Sequence, residues 1–349
     1  MLSKNKKNEI HPIIKEDIKN ILSEPLPWSD LQNKTVLITG ATGLIPGYIV
    51  HTLMSIEGVH VVALSRSEEK LKQKFSMYAN NPYFTYLAYD MSVTSDFTKL
   101  FNETKIDIIF HGAGNTDNIG QQDIVNTIDI NTYGTKSCLD FLKIQGSGVF
   151  IPFSSATIYG LSSVLKVSET DYGYTDLQAN DAPYVQSKRT LEVYSYAYNK
   201  QFNVNIRIPR ISWVIGPEMN RQNGMRTDFL YNLLDGQDMI IKSDGKRVLP
   251  FCYISDVITA LFYIFFYGKQ GEPYNIVADD GNISVKQFAE IHKSILNIQS
   301  NLIIKNEYSD GKPGIMMDNS KLHSLGWKSK ITISDGLQRI YNYMLSKDK

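Results

Sequence analysis

Tyr184 and Lys188 lie four residues apart, a spacing that puts both side chains on one face of a helix. The ammonium charge then favours the phenolate and draws the tyrosine pKa down from about 10. Such a phenol can pass a proton to or from a carbinol oxygen while hydride moves at the carbon that bears it. The spacing alone is unspecific, since it recurs at Tyr196/Lys200, Tyr308/Lys312 and Tyr343/Lys347. The setting distinguishes the first pair. An apolar run ends in Ile151-Pro152-Phe153-Ser154-Ser155-Ala156-Thr157-Ile158-Tyr159-Gly160, delivering hydroxyls at the carboxyl end of a strand. The helix opening at Ala182-Pro183-Tyr184 follows after a polar loop.

A second constellation lies nearer the N-terminus, where Val36-Leu37-Ile38-Thr39 runs into Gly40-Ala41-Thr42-Gly43-Leu44-Ile45-Pro46-Gly47. Glycines at 40 and 43 let the backbone turn sharply and approach a pyrophosphate, and the helix that follows offers its first N–H groups to the anion. Pro46 stands where a third glycine is expected, with Gly47 beside it. Proline is tolerated there because the first turn has no intrahelical acceptor to lose. The next strand ends Val61-Val62-Ala63-Leu64-Ser65-Arg66-Ser67, with no carboxylate until Glu68. An adenosine ribose with a free 2′-hydroxyl usually meets Asp or Glu at this point, whereas a 2′-phosphate meets Arg. Ser65, Arg66 and Ser67 therefore favour NADP, with NAD as the alternative. Asp90, closing the third strand, is a candidate acceptor for the adenine amine.

These groups need a scaffold, and the hydrophobic rhythm supplies one. Strands are expected at 35–39, 59–64, 83–88, 106–110, 148–153 and 204–209, with helical stretches at 44–56, 68–79, 121–144 and 184–201 between them. Such alternation implies parallel βαβ units, hence an α/β fold with a doubly wound parallel sheet of the Rossmann type. Helices near 225–235, 255–267, 284–297 and 334–346 suggest a smaller mixed α/β C-terminal lobe over the carboxyl ends of the strands. The expected division is an N-terminal helical extension at 1–34, a dinucleotide-binding domain at 35–209 with a return segment near 250–278, and a mainly substrate-binding lobe at 210–349. In the extension, Ile10, Ile13, Ile14, Ile18, Ile21 and Leu22 recur at helical spacing before Pro25 and Pro27, and the segment reads as an appendage.

Composition narrows the partners. Thirty-six basic residues balance thirty-six acidic ones in 349 residues, so no electrostatic argument points to nucleic acid or an anionic membrane. Two cysteines, Cys138 and Cys252, exclude a disulfide framework. The Lys-rich start lacks the apolar core of a secretory signal, and Val257–Tyr267 is too short to span a bilayer. A cytoplasmic location is the expectation.

The chain resembles the extended short-chain dehydrogenase/reductase family, the group of nucleotide-sugar epimerases, dehydratases and reductases. The likeness runs from Thr35 onward through TGATGLI at 39–45, HGAG at 111–114, NTYGT at 131–135, SSATIYG at 154–160, YVQSK at 184–188, IGP at 215–217, YISDV at 253–257 and LGW at 325–327. The resemblance implies that Ser155 is the hydroxyl next to the substrate oxygen, Tyr184 the acid/base, and Lys188 the ribose-binding cation that tunes it. It implies a cofactor site of Gly40, Thr42, Gly43, Leu44, Ile45, Ser65, Arg66, Asp90, Met91, Gly112, Ala113 and Asn131 together with Tyr184 and Lys188, with Thr135 in support. Ser154 is the reserve for Ser155. A homodimer packed through the helices near 121–144 and 184–201 is implied too, with Phe141, Tyr194 and Tyr198 as contributors.

Departures from the family pattern limit the chemistry. The 4,6-dehydratases follow the catalytic hydroxyl with Asp-Glu, the carboxyls that eliminate water, but here Ala156 and Thr157 stand there and neither is a general acid. Dehydration is therefore disfavoured, and a 4-ketoreductase or 4-epimerase acting on a nucleotide-activated sugar is expected. In R-x-x-N-x-x-G-P the asparagine is replaced by Trp213, a candidate to stack on a base or sugar. The arginine that often precedes Y-x-x-D-V is Leu249, and Arg247, two residues earlier, is expected on the opposite strand face. Ala156, Arg221 and Arg226 complete the candidate substrate contacts, the two arginines as cations for a pyrophosphate. The same hydride chemistry on a substrate without a nucleotide, and a non-catalytic NADP-sensing regulator, are the alternatives. No metal site is expected.

Overall fold

The computed structural model describes residues 9–93, 97–101, 104–115, 123–219, 224–295, 301–308 and 314–347. Six parallel strands form its main sheet: β1 (Thr35–Thr39), β2 (His60–Ser65), β3 (Phe84–Ala88), β4 (Ile108–His111), β5 (Val149–Pro152) and, counting two intervening short strands, β8 (Asn205–Ile206). Their spatial order is β3-β2-β1-β4-β5-β8, so the chain reverses direction across the sheet between β1 and β4. Ligands bind outside the carboxyl ends at such a switch point. The register brings those ends level, with Thr39 opposite both Leu64 and His111.

Both faces of this sheet are covered, which explains why its strands read as unbroken apolar runs rather than alternating ones. Val36, Ile38, Val61, Ala63, Ile108 and Phe110 enter one core, while Leu37, Val62, Leu64 and Ile109 enter the other. The first core lies beneath α1 (Pro12–Leu22), α2 (Leu44–Leu53) and the helix Ile254–Tyr267. The second lies beneath the helix Ile124–Gln145, which is α4 after α3 (Glu68–Lys74), and α5 (Ala182–Phe202). Glycine at 146 (φ +73°) and Asn203 (φ +56°) end α4 and α5 in left-handed caps.

Two regions differ from the sequence reading. The single strand expected at 204–209 divides into β8 and β9 (Ile208–Ile211). β9 leaves the main sheet to pair with β6 (Ser154–Ser155) on one side and β13 (Pro273–Ile276) on the other. The N-terminal helix, read as an appendage, is part of the first core. Ile14, Ile18 and Ile21 are buried, and the buried Asp17 carboxylate accepts hydrogen bonds from Tyr48 (3.0 Å), Tyr253 (2.9 Å) and Arg339 (3.1 Å).

The remaining chain forms the smaller lobe. Strand β10 (Trp213–Ile215) pairs in parallel with β12 (Val248–Tyr253), which pairs antiparallel with β14 (Asn282–Ser284). α6 (Met225–Leu234) follows β10, and α7 (Ile254–Tyr267) returns to pack on α2. Among the described residues no helix is long and apolar enough to cross a membrane.

Candidate active site

At the exit of β1 the backbone itself makes the site. Gly40 has φ +69°, and a Cβ there would lie 2.7 Å from the Gly112 carbonyl oxygen and 2.8 Å from Ala113 N. Only glycine lets the loop abut the exit of β4 this closely. Gly43 is the N-cap of α2, and Pro46 sits buried in the first turn. The first N–H groups of a helix have no intrahelical acceptor. Those of Leu44 and Ile45 therefore face outward, while Pro46 offers none. Gly112 is small because of Pro46, whose Cγ would lie 2.6 Å from a Cβ at 112. Thr39 holds the neighbouring strand end, its hydroxyl 2.8 Å from His111 Nδ1 and accepting from Ala113 N at 3.1 Å. Burial pushes the His111 imidazole down to about 3, so it is a neutral structural group near pH 7.

Around the end of β2 the candidate cofactor contacts are unevenly committed. Ser65 Oγ lies 3.1 Å from Thr42 Oγ1, and Ser67 Oγ caps α3 by accepting from Lys70 N at 3.2 Å. Ser67, read with Ser65 and Arg66 as suited to a phosphate, is thus already used as a helix cap. Arg66 is exposed. Partial burial works to raise the Asp90 pKa, but hydrogen bonds from Ser92 N (2.9 Å) and Ser92 Oγ (2.7 Å) and the charge of Arg66 outweigh it and hold the carboxyl below its ordinary value. Met91 is buried beside Gly134 of α4.

Helices α4 and α5 meet around Tyr184 and Lys188, the pair expected to be catalytic. Asn131 Nδ2 donates to Ser187 Oγ at 2.9 Å, and Ser187 Oγ donates to the Tyr184 carbonyl at 2.9 Å. This link from α4 to the turn that carries Tyr184 makes Ser187 a positioning residue that sequence reasoning missed, although it sits inside YVQSK. Thr135 Oγ1 donates back to the Asn131 carbonyl at 2.6 Å. Lys188, one turn beyond Tyr184, is buried, donates to the Phe153 carbonyl at 2.9 Å, and lies 5.8 Å from the Tyr184 ring centroid. Burial draws its pKa down to about 8, which leaves it mostly charged at neutral pH.

Ser155 and Ser154 point to opposite faces of β6, as successive strand residues must. Ser155 Oγ accepts from Thr157 N at 3.2 Å and from Thr157 Oγ1 at 3.0 Å. A hydroxyl has two lone pairs and one proton, so with both lone pairs engaged Ser155 is left to act as a donor. Ser154 is not its reserve. Its Oγ is buried and donates to Glu192 Oε1 at 2.5 Å, which commits it to a buried side-chain network. There the fully buried Arg210 forks onto Glu192 (Nε–Oε1 3.0 Å, Nη2–Oε2 2.9 Å) and donates to Tyr159 Oη at 3.0 Å and the Glu169 carbonyl at 2.7 Å. The network braces the SSATIYG turn from below.

A cavity of about 80 Å³ follows Ser155 along the chain, walled by Ala156, Thr157, Trp213, Arg247, Leu249 and Ile315 among others, with Ser155, Tyr184 and Lys188 outside its lining. Ala156 and Trp213 are brought to it as expected. Arg226 does not line it and donates to the Val214 carbonyl at 3.3 Å, while Arg221 lies outside the described residues. Arg247, expected to face away, lines the cavity with Leu249, because residues two apart along an extended strand share a face. Its buried Nε has no hydrogen-bond partner among the described residues. Of the other Tyr–Lys pairs, Lys312 and the Lys347 side chain lie outside the described residues, and Tyr196 packs in the core under α5.

A glycine turn against a helix N-terminus, at the carboxyl edge of a doubly wound parallel sheet, defines an α/β protein of the Rossmann type. The chain belongs to the NAD dependent epimerase/dehydratase family, whose sequence profile matches residues 36–277. It is 27% identical over 308 residues to UDP-glucuronic acid decarboxylase 6 of Arabidopsis thaliana, covering 87% of each chain. It is 26% identical over 321 residues to UDP-glucuronic acid decarboxylase 1 of Xenopus tropicalis, covering 90% of this chain and 73% of that one. Among solved structures, the fold matches the UDP-glucose 4-epimerase of Thermotoga maritima with a TM-score of 0.78 at 21% identity, covering 90% of this chain and 100% of that one. It also matches the UDP-glucuronic acid 4-epimerase of Bacillus cereus, solved with UDP-glucuronic acid and NAD, with a TM-score of 0.77 at 23% identity over 90% and 99% of the two chains. The residues present fit a dinucleotide: the first N–H groups of α2 have no intrahelical acceptor, and the buried Asn131 Oδ1 has no donor among the described residues.

Proposed function

We propose that this chain catalyses hydride transfer at a secondary alcohol or ketone of a nucleotide-activated sugar, as a 4-epimerase or 4-ketoreductase. The observation that carries the reading is the state of Ser155, whose Oγ accepts from Thr157 N and Thr157 Oγ1 and keeps its own proton to donate, followed along the chain by a cavity wall at Ala156 and Thr157 that has no carboxyl. A bound nicotinamide dinucleotide supplies the hydride acceptor or donor. Ser155 donates to the substrate oxygen and stabilises its developing charge. Tyr184 takes the hydroxyl proton during oxidation or returns it during reduction. Lys188, anchored on the Phe153 carbonyl, keeps positive charge near the phenol so that its deprotonated form is accessible. Elimination of water needs a further acid and base, and Ala156 and Thr157 provide neither; this supports a reaction without dehydration.

Arg247 supports the nucleotide part of the reading, as a cation with an unpartnered nitrogen in the cavity wall. Arg66 supports NADP, whereas Asp90 close to it suits NAD equally well as a neighbour of an unphosphorylated ribose. Titration of NADPH and NADH against Arg66→Ala tests this, with a selective loss of NADPH expected and equal losses removing Arg66 from the site. The outer faces of α4 and α5 expose Val125, Ile128 and Val193, which supports a homodimer there, although Phe141 and Tyr198 are buried within the chain and contribute to its own core instead. Epimerase and reductase separate on one measurement, the reduced-nicotinamide absorbance during turnover of UDP-hexoses and 4-keto nucleotide sugars. Stoichiometric oxidation of added cofactor identifies a reductase, and product without net absorbance change an epimerase. Activity confined to free sugars or ketones would remove the nucleotide from the proposal.

A further inference from the structure

The displaced glycine at 47 has a neighbour that explains it. Lys74, the last residue of α3, reaches across the phosphate loop. A Cβ at position 47 would lie 2.7 Å from its Nζ and 2.9 Å from its Cε. The ammonium group has three hydrogens to donate. It donates to the Thr42 carbonyl at 3.3 Å, the Gly43 carbonyl at 3.3 Å and Glu218 Oε2 at 2.9 Å. The pair is largely withdrawn from solvent, with side-chain exposures of 17% for Lys74 and 30% for Glu218, so it is screened less than a surface ion pair. Glu218 follows Gly216-Pro217 in the turn after β10 and holds φ +67°, a backbone state that non-glycine residues seldom adopt without fixing contacts. One end of the ion pair therefore belongs to the phosphate loop's own layer, and the other to the chain leading from Trp213 into the smaller lobe.

We propose that Lys74 and Glu218 form a latch that ties the phosphate loop to the smaller lobe and sets how slowly a bound dinucleotide leaves. The inference rests on the reading that this loop holds the dinucleotide. Opening the loop requires breaking the ion pair or carrying the turn at 216–219 with it. Neither residue touches the reacting atoms, so the latch acts on release and leaves the proton relay alone. Retention of one dinucleotide over many turnovers is what an epimerase requires, whereas a reductase must open the latch each cycle.

The test is stopped-flow displacement of bound NADH and NADPH from the full-length chain, following nicotinamide fluorescence. Glu218→Gln removes the charge with little change of shape. Gly47→Ala leaves both charges in place and pushes the flexible lysine head off the loop. Lys74→Met removes the latch and the loop contacts together. Release is expected to be ~5-fold or more faster in all three, since a partly buried ion pair is worth a kcal/mol or so and such losses fall mainly on the off-rate. Wild-type release should also quicken with added salt. Thermal melting of each variant checks that the fold persists. Unchanged release in Glu218→Gln and Gly47→Ala overturns the latch, even if Lys74→Met is fast, because Lys74 would then act on the loop alone. A wild-type chain that binds neither dinucleotide would overturn the functional reading beneath it, a result distinct from the first.

Discussion

In the region of β1 to β4, Gly40 comes so near the Gly112 carbonyl that no side chain fits, and α2 begins with backbone N–H groups that have no intrahelical acceptor. In the smaller lobe a cavity is lined by side chains, and there Trp213, Arg247 and Leu249 depart from the pattern that the chain otherwise resembles. A site made of backbone depends on where glycine is possible and has few alternative solutions. A site made of side chains can move its cation two residues along a strand and still aim it into the same cavity. The family is therefore plain from the first region, and we propose that substrate preference is decided in the second.

The sharpest way to break this contrast is at the junction of the two regions. Tyr184→Phe should lower kcat by ~10²–10⁴-fold, the range of a lost general acid/base, with dinucleotide affinity within about twofold of wild type. Turnover near the wild-type rate would remove Tyr184 from the chemistry. Next in size is the pair of adjacent serines. Ser155→Ala should cost ~10²-fold or more in kcat through loss of the donor at the developing charge. Ser154→Ala should leave kcat within a few-fold and instead cost about 1–3 kcal/mol of stability, because Glu192 loses a buried partner. Equal kinetic losses for the two serines would mean that both face substrate.

A smaller effect tests the lobe itself. Arg247→Ala should raise KM for a UDP-sugar by roughly 10-fold or more, as expected for a charged hydrogen bond lost, with kcat little changed and Arg226→Ala much weaker. UDP binding measured by calorimetry should follow the same order. Identical losses for both arginines would return the pyrophosphate to the α6 side of the lobe.

The smallest effect concerns pH. Lys188 is held at about 8 by burial against an ordinary 10.5, so between those values the native state releases a proton that the unfolded chain retains. The unfolded state binds more protons in that window, and the stability linked to this group rises with pH across it. Relative to Lys188→Met, the wild type should gain stability in denaturant titrations between pH 8 and pH 10. A parallel pH dependence in both proteins would place the lysine in a more solvated setting.

Much of this was legible in the residues. The six strands and the main helices follow from apolar runs and their spacing, and TGATGLI, SSATIYG and YVQSK are local patterns whose geometry depends on the few residues within them. The chemistry proposed for Ser155, Tyr184 and Lys188 rests on the same local patterns. What escaped depended on partners distant in sequence. Nothing near Ser154 indicates that Glu192 will capture it, nothing near Pro46-Gly47 announces Lys74, and the Ile pattern of the first helix does not say that Asp17 will meet Tyr48, Tyr253 and Arg339. The break at Arg207 between β8 and β9 likewise reflects the competing partners β5 and β13. The sequence by itself determined the family and the parallel sheet, because hydrophobic periodicity and glycine sterics are local properties. The tertiary structure alone decided which serine Glu192 captures, which arginine faces the cavity and what spans the turn after β1, because each depends on groups brought together only when the chain has folded.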